Sequence, residues 1–203
     1  MNTMPVEYRE TEIELLRHGE PVGGRRYRGQ VDDVLSEKGW QQMWNAVGDR
    51  ADWQQIVSSP LQRCCAFAMA LGERHGLPVR VDARFAEVGF GSWEGRTRQE
   101  LEADDPGQVA RFLRDPVGNR PPGAELLDDF TARVQAGLDD VVQAYAGQRV
   151  LLVAHAGVIR SVMAHVLGMP PAVMYRIHVA NAGLTRIRTD RERTFNLVSH
   201  GCP

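Results

Sequence analysis

Val150-Leu151-Leu152-Val153-Ala154 is an unbroken apolar run, and it constrains the fold more than any other stretch of the chain. A strand in a parallel sheet is covered by helices on both faces, so neither of its sides meets water and its sequence loses the usual apolar-polar alternation. The run therefore predicts a buried central strand. His155 follows at its carboxyl end. In open parallel sheets the crevice beyond the carboxyl ends of the strands is where ligands bind.

A second strand ends in the same chemistry. In Ile13-Glu14-Leu15-Leu16-Arg17-His18-Gly19-Glu20, Ile13 and Leu15 alternate with Glu14, and the run stops at Gly19. Adjacent strand residues point to opposite faces, so Arg17 and His18 can serve one ligand only if the backbone leaves extended geometry there. Gly19 permits that departure.

The remaining pattern alternates strands with helices. Ser36 reads as a helix N-cap with Trp40, Met43, Trp44 and Val47 at helical spacing behind it, and the tryptophans read as core residues. Gln55 to Ser58 reads as a strand, and Ser59-Pro60 as the start of the helix that carries Arg63. Val79 and Val81 suggest a third strand, followed by a glycine-rich irregular stretch from Ala83 to Arg96. Thr97 and Glu100 form a capping-box pattern whose helix is interrupted at Asp105-Pro106. From Glu125, apolar residues recur at helical spacing to Tyr145, predicting the longest helix, and a further helix spans Val158 to Leu167. Leu184 to Arg188 and Thr194 to Ser199 close the pattern as two strands around Asp190-Arg191-Glu192, while residues 1 to 11 read as a loose lead-in. The expectation is a three-layer α/β/α sandwich with a mostly parallel central sheet. One domain spans residues 1–203, with 85–123 as a lid-like segment over the site.

Composition excludes several classes. A formal charge of −2 argues against a general nucleic-acid binder, so any anion site must be a local cluster of arginines. No apolar run approaches the ~20 residues that cross a bilayer, and no signal-peptide order precedes the first strand, which makes a cytoplasmic location the default and a membrane partner unexpected. Three cysteines, two of them the adjacent Cys64 and Cys65, do not form a disulfide framework. Oligomeric state is not legible; a homodimer is one of the states allowed.

His18 near Arg17, Arg63 and a second histidine suggests phosphoryl chemistry. Neutral imidazole is a nucleophile near neutral pH, and guanidinium is a permanent planar fork for phosphate oxygens. Other readings fit each residue taken alone. His18 can be a satisfied core histidine beside solvated arginines, His155 can merely end a strand, and Glu87 can be a solvated loop carboxylate. Glu87 lies between apolar Phe85 and Val88; partial burial there would suit a carboxyl to general acid work. No group of carboxylates and histidines has a metal-ligand spacing, so neither metal nor cofactor is expected.

Five ordered segments carry a family resemblance: Leu16 to Glu20; Ser58-Ser59-Pro60-Leu61-Gln62-Arg63; Glu87 with Phe90-Gly91-Ser92-Trp93-Glu94-Gly95; Pro122-Gly123-Ala124-Glu125; and Val153 to Arg160. Together they resemble the histidine phosphatase superfamily, the phosphoglycerate-mutase-like enzymes. The resemblance implies that His18 is phosphorylated and that Arg17, Arg63 and His155 bind the phosphate. It implies that Glu87 protonates the leaving oxygen and then deprotonates the attacking water. The substrate would be a small phosphorylated metabolite. Pro21 stands where the signature usually has threonine, an asparagine is missing from Val22-Gly23-Gly24, and Leu126 and Phe67 replace a common serine and threonine. The first two changes bear on the substrate loop, where Arg28, Gly29 and Gln30 are expected to meet the substrate beyond its phosphate. Only 68 residues separate Glu87 from His155, fewer than in glycolytic mutases of the family, which favours a phosphatase. The run through His155 and the compact length look most like α-ribazole phosphatases and related broad-specificity phosphatases, implying α-ribazole 5′-phosphate as one substrate. A phosphoglycerate mutase-type transfer is the enzymatic alternative, and an inactive phosphate-binding regulatory module is the alternative of another class.

Overall fold

The computed structural model describes residues 10–190, 192 and 194–202; most of the expected lead-in and Arg191 of the expected turn lie outside the described residues. Six strands form one sheet: β1 (Thr11–Arg17), β2 (Gln55–Ser58), β3 (Val79–Val81), β4 (Arg149–Ala154), β5 (Leu184–Thr189) and β6 (Phe195–Cys202). Their order is β3-β2-β4-β1-β5-β6. The first four strands in that order are mutually parallel, and β5 and β6 add antiparallel at one edge. The helices are α1 (Glu37–Val47), α2 (Gln62–His75), α3 (Arg98–Asp104), α4 (Gln108–Arg114), α5 (Leu127–Ala144) and α6 (Ala156–Val166).

The two faces of the central strands divide by residue parity, as the pleat requires. Ile13, Leu15, Val150 and Leu152 pack with Phe130, Val134 and Leu138 of α5 and with Val158, Ile159 and Val162 of α6. Leu16, Ile56, Leu151 and Val153 pack on the other face with Met43 and Val47 of α1 and with Phe67, Ala68 and Leu71 of α2. These are the three expected layers. Phe85, Phe90 and Trp93, together with Leu101 of α3 and Phe112 of α4, join the first of the two cores, so the segment 85–123 is anchored by its apolar side chains. Trp40 and Trp44 sit at the margin of the second core, with ring centroids 5.8 and 4.7 Å from that of Phe67.

Local signals set several boundaries. Ser36 accepts from the Gly39 N–H at the start of α1, and Thr97 and Glu100 make both halves of a capping box on α3. One start differs from expectation: α2 begins at Gln62, not at Pro60. Ser59 is thereby left outside the helix, with consequences at the site.

Glu14 departs from its expected place on a polar face. It is 2% exposed in the middle of β1 and accepts from the Trp53 indole at 2.8 Å, from Arg50 at 2.8 Å and from Arg186 at 3.0 Å. A buried carboxylate is tolerated when donors saturate it, and removing one partner leaves the others unpaired. Glu14→Ala is expected to destabilise the fold by roughly 3 kcal/mol, at the lower end for broken buried pairs because both arginines remain partly solvated. Chemical denaturation of the variant checks this, and an unchanged midpoint would reduce the network to surface decoration.

Candidate active site

The register of the two central strands builds the site. Arg17 pairs with Ala154 across β1 and β4, so the next residues, His18 and His155, emerge side by side beyond the carboxyl ends. The His18 N–H donates to the Ala154 carbonyl at 3.0 Å, and the two imidazole centroids lie 5.2 Å apart, edge to face. Gly19 is held against α1 so closely that a Cβ there would lie 2.1 Å from the Gly39 carbonyl oxygen. His18 Nδ1 sits 2.7 Å from the Gly19 carbonyl. A carbonyl only accepts, so Nδ1 carries the proton and Nε2 keeps its lone pair.

Two guanidinium groups are fixed from behind by backbone carbonyls. Arg17 Nη1 donates to Val179 O at 2.6 Å; Arg63, second residue of α2, donates from Nη1 to Val31 O at 2.7 Å and from Nη2 to Gly29 O at 2.8 Å. Each leaves a buried Nε–H with no acceptor among the described residues. Buried donors normally find partners. A tetrahedral oxyanion is the partner that two converging guanidinium forks suit.

His155 caps α6, and its Nε2 lies 2.7 Å from Ser59 Oγ. The Cys64 sulfur packs 3.6 and 3.7 Å from the two ring nitrogens and donates to Ala154 O. The sequence reads Ser59 as a helix start and Cys64 as a thiol outside any disulfide framework. The adjacent serines at the end of a strand were the available signal for the first.

Glu87 reaches the site from the irregular segment. Its carboxylate accepts the Val88 N–H at 3.0 Å and the Gly157 N–H at 3.2 Å, which places it at the amino end of α6 beside the histidines. A Cβ on Gly157 would meet Glu87 Oε1 at 2.2 Å, so only glycine admits the carboxylate there. Glu125, quoted above only as part of a motif, proves to be a clamp. It pairs with Arg133 at 2.6 Å and accepts the Gly89 N–H, while Arg133 donates to the carbonyls of Arg84, Ala86 and Glu87.

Arg28, expected to meet the substrate, is engaged within its own loop. It is 8% exposed, and its Nε donates to Asp33 at 2.9 Å while Nη2 donates to the carbonyls of Val22 and Gly24. Two inward carbonyls and one carboxylate hold the guanidinium, which makes Arg28 a staple of its own loop. Gly29 contributes the carbonyl that holds Arg63, and Gln30 bridges to Glu94 Oε1 and to Glu87 O.

Burial pushes His18 well below the usual imidazole range, the charges of Arg17 and Arg63 push it further, and the Gly19 carbonyl opposes them. His155 is lowered for the same first reason, followed by Arg63 and His18. Both are therefore neutral near pH 7. Below about pH 6.5 unfolded histidines bind protons that the folded ones refuse, so stability falls as pH drops through that value and is flat above it. The slope is at most about 1.4 kcal/mol per pH unit for each histidine. His155→Gln is expected to lose less stability than the wild type between about pH 7 and 5. Equal losses in thermal denaturation would contradict a neutral buried His155.

The family described as the histidine phosphatase superfamily (branch 1) matches residues 13–202. A bifunctional protein of Mycobacterium tuberculosis is 38% identical over 180 residues, covering 86% of this chain; the chain spans only 49% of that relative's length. The structure of a mycobacterial glucosyl-3-phosphoglycerate phosphatase is similar at a TM-score of 0.85 and 33% identity, covering 96% of this chain and all of the other. An α-ribazole phosphatase from Shigella flexneri is similar at a TM-score of 0.80 and 25% identity, covering 94% and 96% of the two chains.

Proposed function

Because the chain belongs to the histidine phosphatase superfamily, we propose that it is a phosphomonoesterase that passes the phosphoryl group through His18 Nε2. The observation that carries this reading is a neutral imidazole, with its lone pair fixed on Nε2 by the Gly19 carbonyl, beside two arginines with orphan buried donors.

In the first step Nε2 attacks phosphorus in line and forms the N–P bond while the ester P–O bond breaks. The departing oxygen takes a proton from the Glu87 carboxyl. In the second step Glu87, now a carboxylate, takes a proton from water, whose oxygen attacks phosphorus as the N–P bond breaks and His18 regains its lone pair. Arg17 and Arg63 neutralise the equatorial oxygens in place before charge develops. Burial and the charges of Arg63 and His18 keep His155 neutral in the free site, and the bound dianion offsets those charges, so that in this reading His155 holds a proton against a phosphoryl oxygen. Its Ser59 contact fixes the ring during that exchange.

A small phosphorylated metabolite is the substrate class this site suits. α-Ribazole 5′-phosphate, suggested by the run through His155, is supported less well than a phosphorylated glycerate derivative, since the mycobacterial phosphatase shares more of the sequence. Residues 85–123 act in this reading as the cover that carries Glu87.

Hydrolysis of p-nitrophenyl phosphate tests the proposal, with acid-labile phosphate trapped on the protein during turnover. The rate is expected to be unchanged by EDTA, because guanidinium groups supply the charge that a divalent cation supplies elsewhere. No turnover at all would favour a phosphate-binding regulatory module. Net transfer to an acceptor phosphoglycerate faster than to water would favour the mutase.

A further inference from the structure

The motif from Phe90 to Gly95 carries a carboxylate that the proposed steps leave without a task. Glu94 is half-buried at the end of a single 3₁₀ turn, Gly91–Trp93. Its stretch is zipped to the loop that precedes Gly29. The Tyr27 N–H donates to Arg96 O at 2.8 Å, the Gly95 N–H donates to Tyr27 O at 2.8 Å, and the Tyr27 ring stands edge to face on Phe90 and Trp93. In that seam Glu94 Oε1 accepts two backbone N–H groups, from Phe90 at 2.9 Å and from Gln30 at 3.1 Å. Gly29 has a φ of +52°, and a Cβ there would lie 2.1 Å from the same oxygen. The carboxylate is therefore seated against bare backbone.

What the two N–H groups share is the far side of their peptides. The Gln30 N–H belongs to the peptide whose carbonyl, Gly29 O, takes Arg63 Nη2 at 2.8 Å. The Phe90 N–H belongs to the peptide whose carbonyl, Gly89 O, takes Arg120 Nη2 at 3.0 Å and the Glu125 N–H at 3.1 Å. Each peptide is bonded to the carboxylate at one end and to a guanidinium at the other, and bonds in such a chain polarise and strengthen one another. One chain ends on an arginine of the phosphate cradle. The other fixes the backbone two residues beyond Glu87, and Gln30 Nε2 reaches Glu87 O itself at 3.4 Å.

We propose that Glu94 is a positioning residue that sets Arg63 and Glu87 together. Through one peptide it braces the fork that receives the phosphate, and through the other it braces the segment that brings the proton donor. This rests on the phosphatase reading, which assigns those two tasks. A different segment in this place would keep the phosphate site only by keeping the carboxylate.

Electrostatics alone gives the opposite sign for the effect of removing Glu94. A carboxylate near an anion site repels the anion, so its loss by field alone tightens phosphate binding. Loss of the brace frees the Arg63 fork and weakens binding. Calorimetric titration with inorganic phosphate reads the sign without turnover. Glu94→Ala is expected to raise the Kd about tenfold, the size of one charge-assisted hydrogen bond. Glu94→Asp keeps the charge but is one methylene too short to reach both N–H groups, and should weaken binding in the same direction; it takes the place of Glu94→Ala throughout if that variant does not fold. Glu94→Gln keeps an acceptor oxygen at full reach and should stay within about threefold of the wild type. In single turnovers Glu94→Ala should lose about tenfold more on sn-glycerol 3-phosphate than on p-nitrophenyl phosphate, a part of the ~10²–10⁴ that a proton donor contributes. A general loosening of the loop would slow both esters alike. Phosphate binding that tightens or stays level in Glu94→Ala and Glu94→Asp overturns the proposal, and so does equal slowing of the two esters. Wild-type protein that binds phosphate and hydrolyses neither ester would remove the phosphatase reading and the Glu87 half with it, while the phosphate titration would still decide the Arg63 half.

Discussion

His18→Ala is expected to lower kcat by on the order of 10⁴-fold or more, since losing the nucleophile removes the covalent route and leaves only what the arginines and positioning provide. The fold should survive, because His18 belongs to neither apolar cluster and sits beyond the end of β1. Acid-labile phosphate on the protein should vanish with activity. Quenched-flow trapping alongside circular dichroism checks both halves, and turnover near the wild-type rate would end the phosphohistidine mechanism.

Glu87→Gln should separate two leaving groups. An alkyl phosphate departs as a poor alkoxide, so loss of the proton donor should cost within the ~10²–10⁴ range of general acid catalysis. A p-nitrophenyl ester leaves as a stable phenolate and needs little help, so its phosphorylation step should survive. Hydrolysis of phosphohistidine needs Glu87 as base and should slow. The variant should then release a burst of nitrophenol matching the enzyme concentration, with phosphate retained on His18. Glutamine is nearly isosteric, and its single carbonyl oxygen can accept only part of what the carboxylate takes from Val88 and Gly157. Equal slowing of single turnovers on both esters would remove Glu87 from the acid role.

Much of this arrangement is legible in the residues because backbone periodicity and chain punctuation are local properties. The apolar run of β4, the Ser36 cap and the Thr97 capping box each act within a few residues and appear in the structure where they were expected. What stayed hidden depends on partners far away in the chain. Glu14 looks like the polar half of an alternation until Arg50, Trp53 and Arg186 close over it. Nothing near Arg28 in the sequence shows that its own loop folds back and engages it. Ser59 reads as a helix start because Pro60 follows, whereas its hydroxyl answers a histidine 96 positions later. Side chains with several hydrogen-bonding choices are decided by topology, and sequence spacing alone does not rank those choices.

The clamp of Glu125 and Arg133 divides the machinery by provenance. In the proposed mechanism the groups that hold phosphate are rooted at strand ends or at the start of a helix packed on them, whereas the proton donor arrives on a separate stretch, anchored in the core by Phe85, Phe90 and Trp93 and clamped by one ion pair and a few carbonyls. A descendant could therefore exchange that stretch, and with it the kind of alcohol released, while inheriting the phosphorus chemistry intact. Diversification of such a scaffold would proceed fastest between residues 85 and 125, with the central strands changing last.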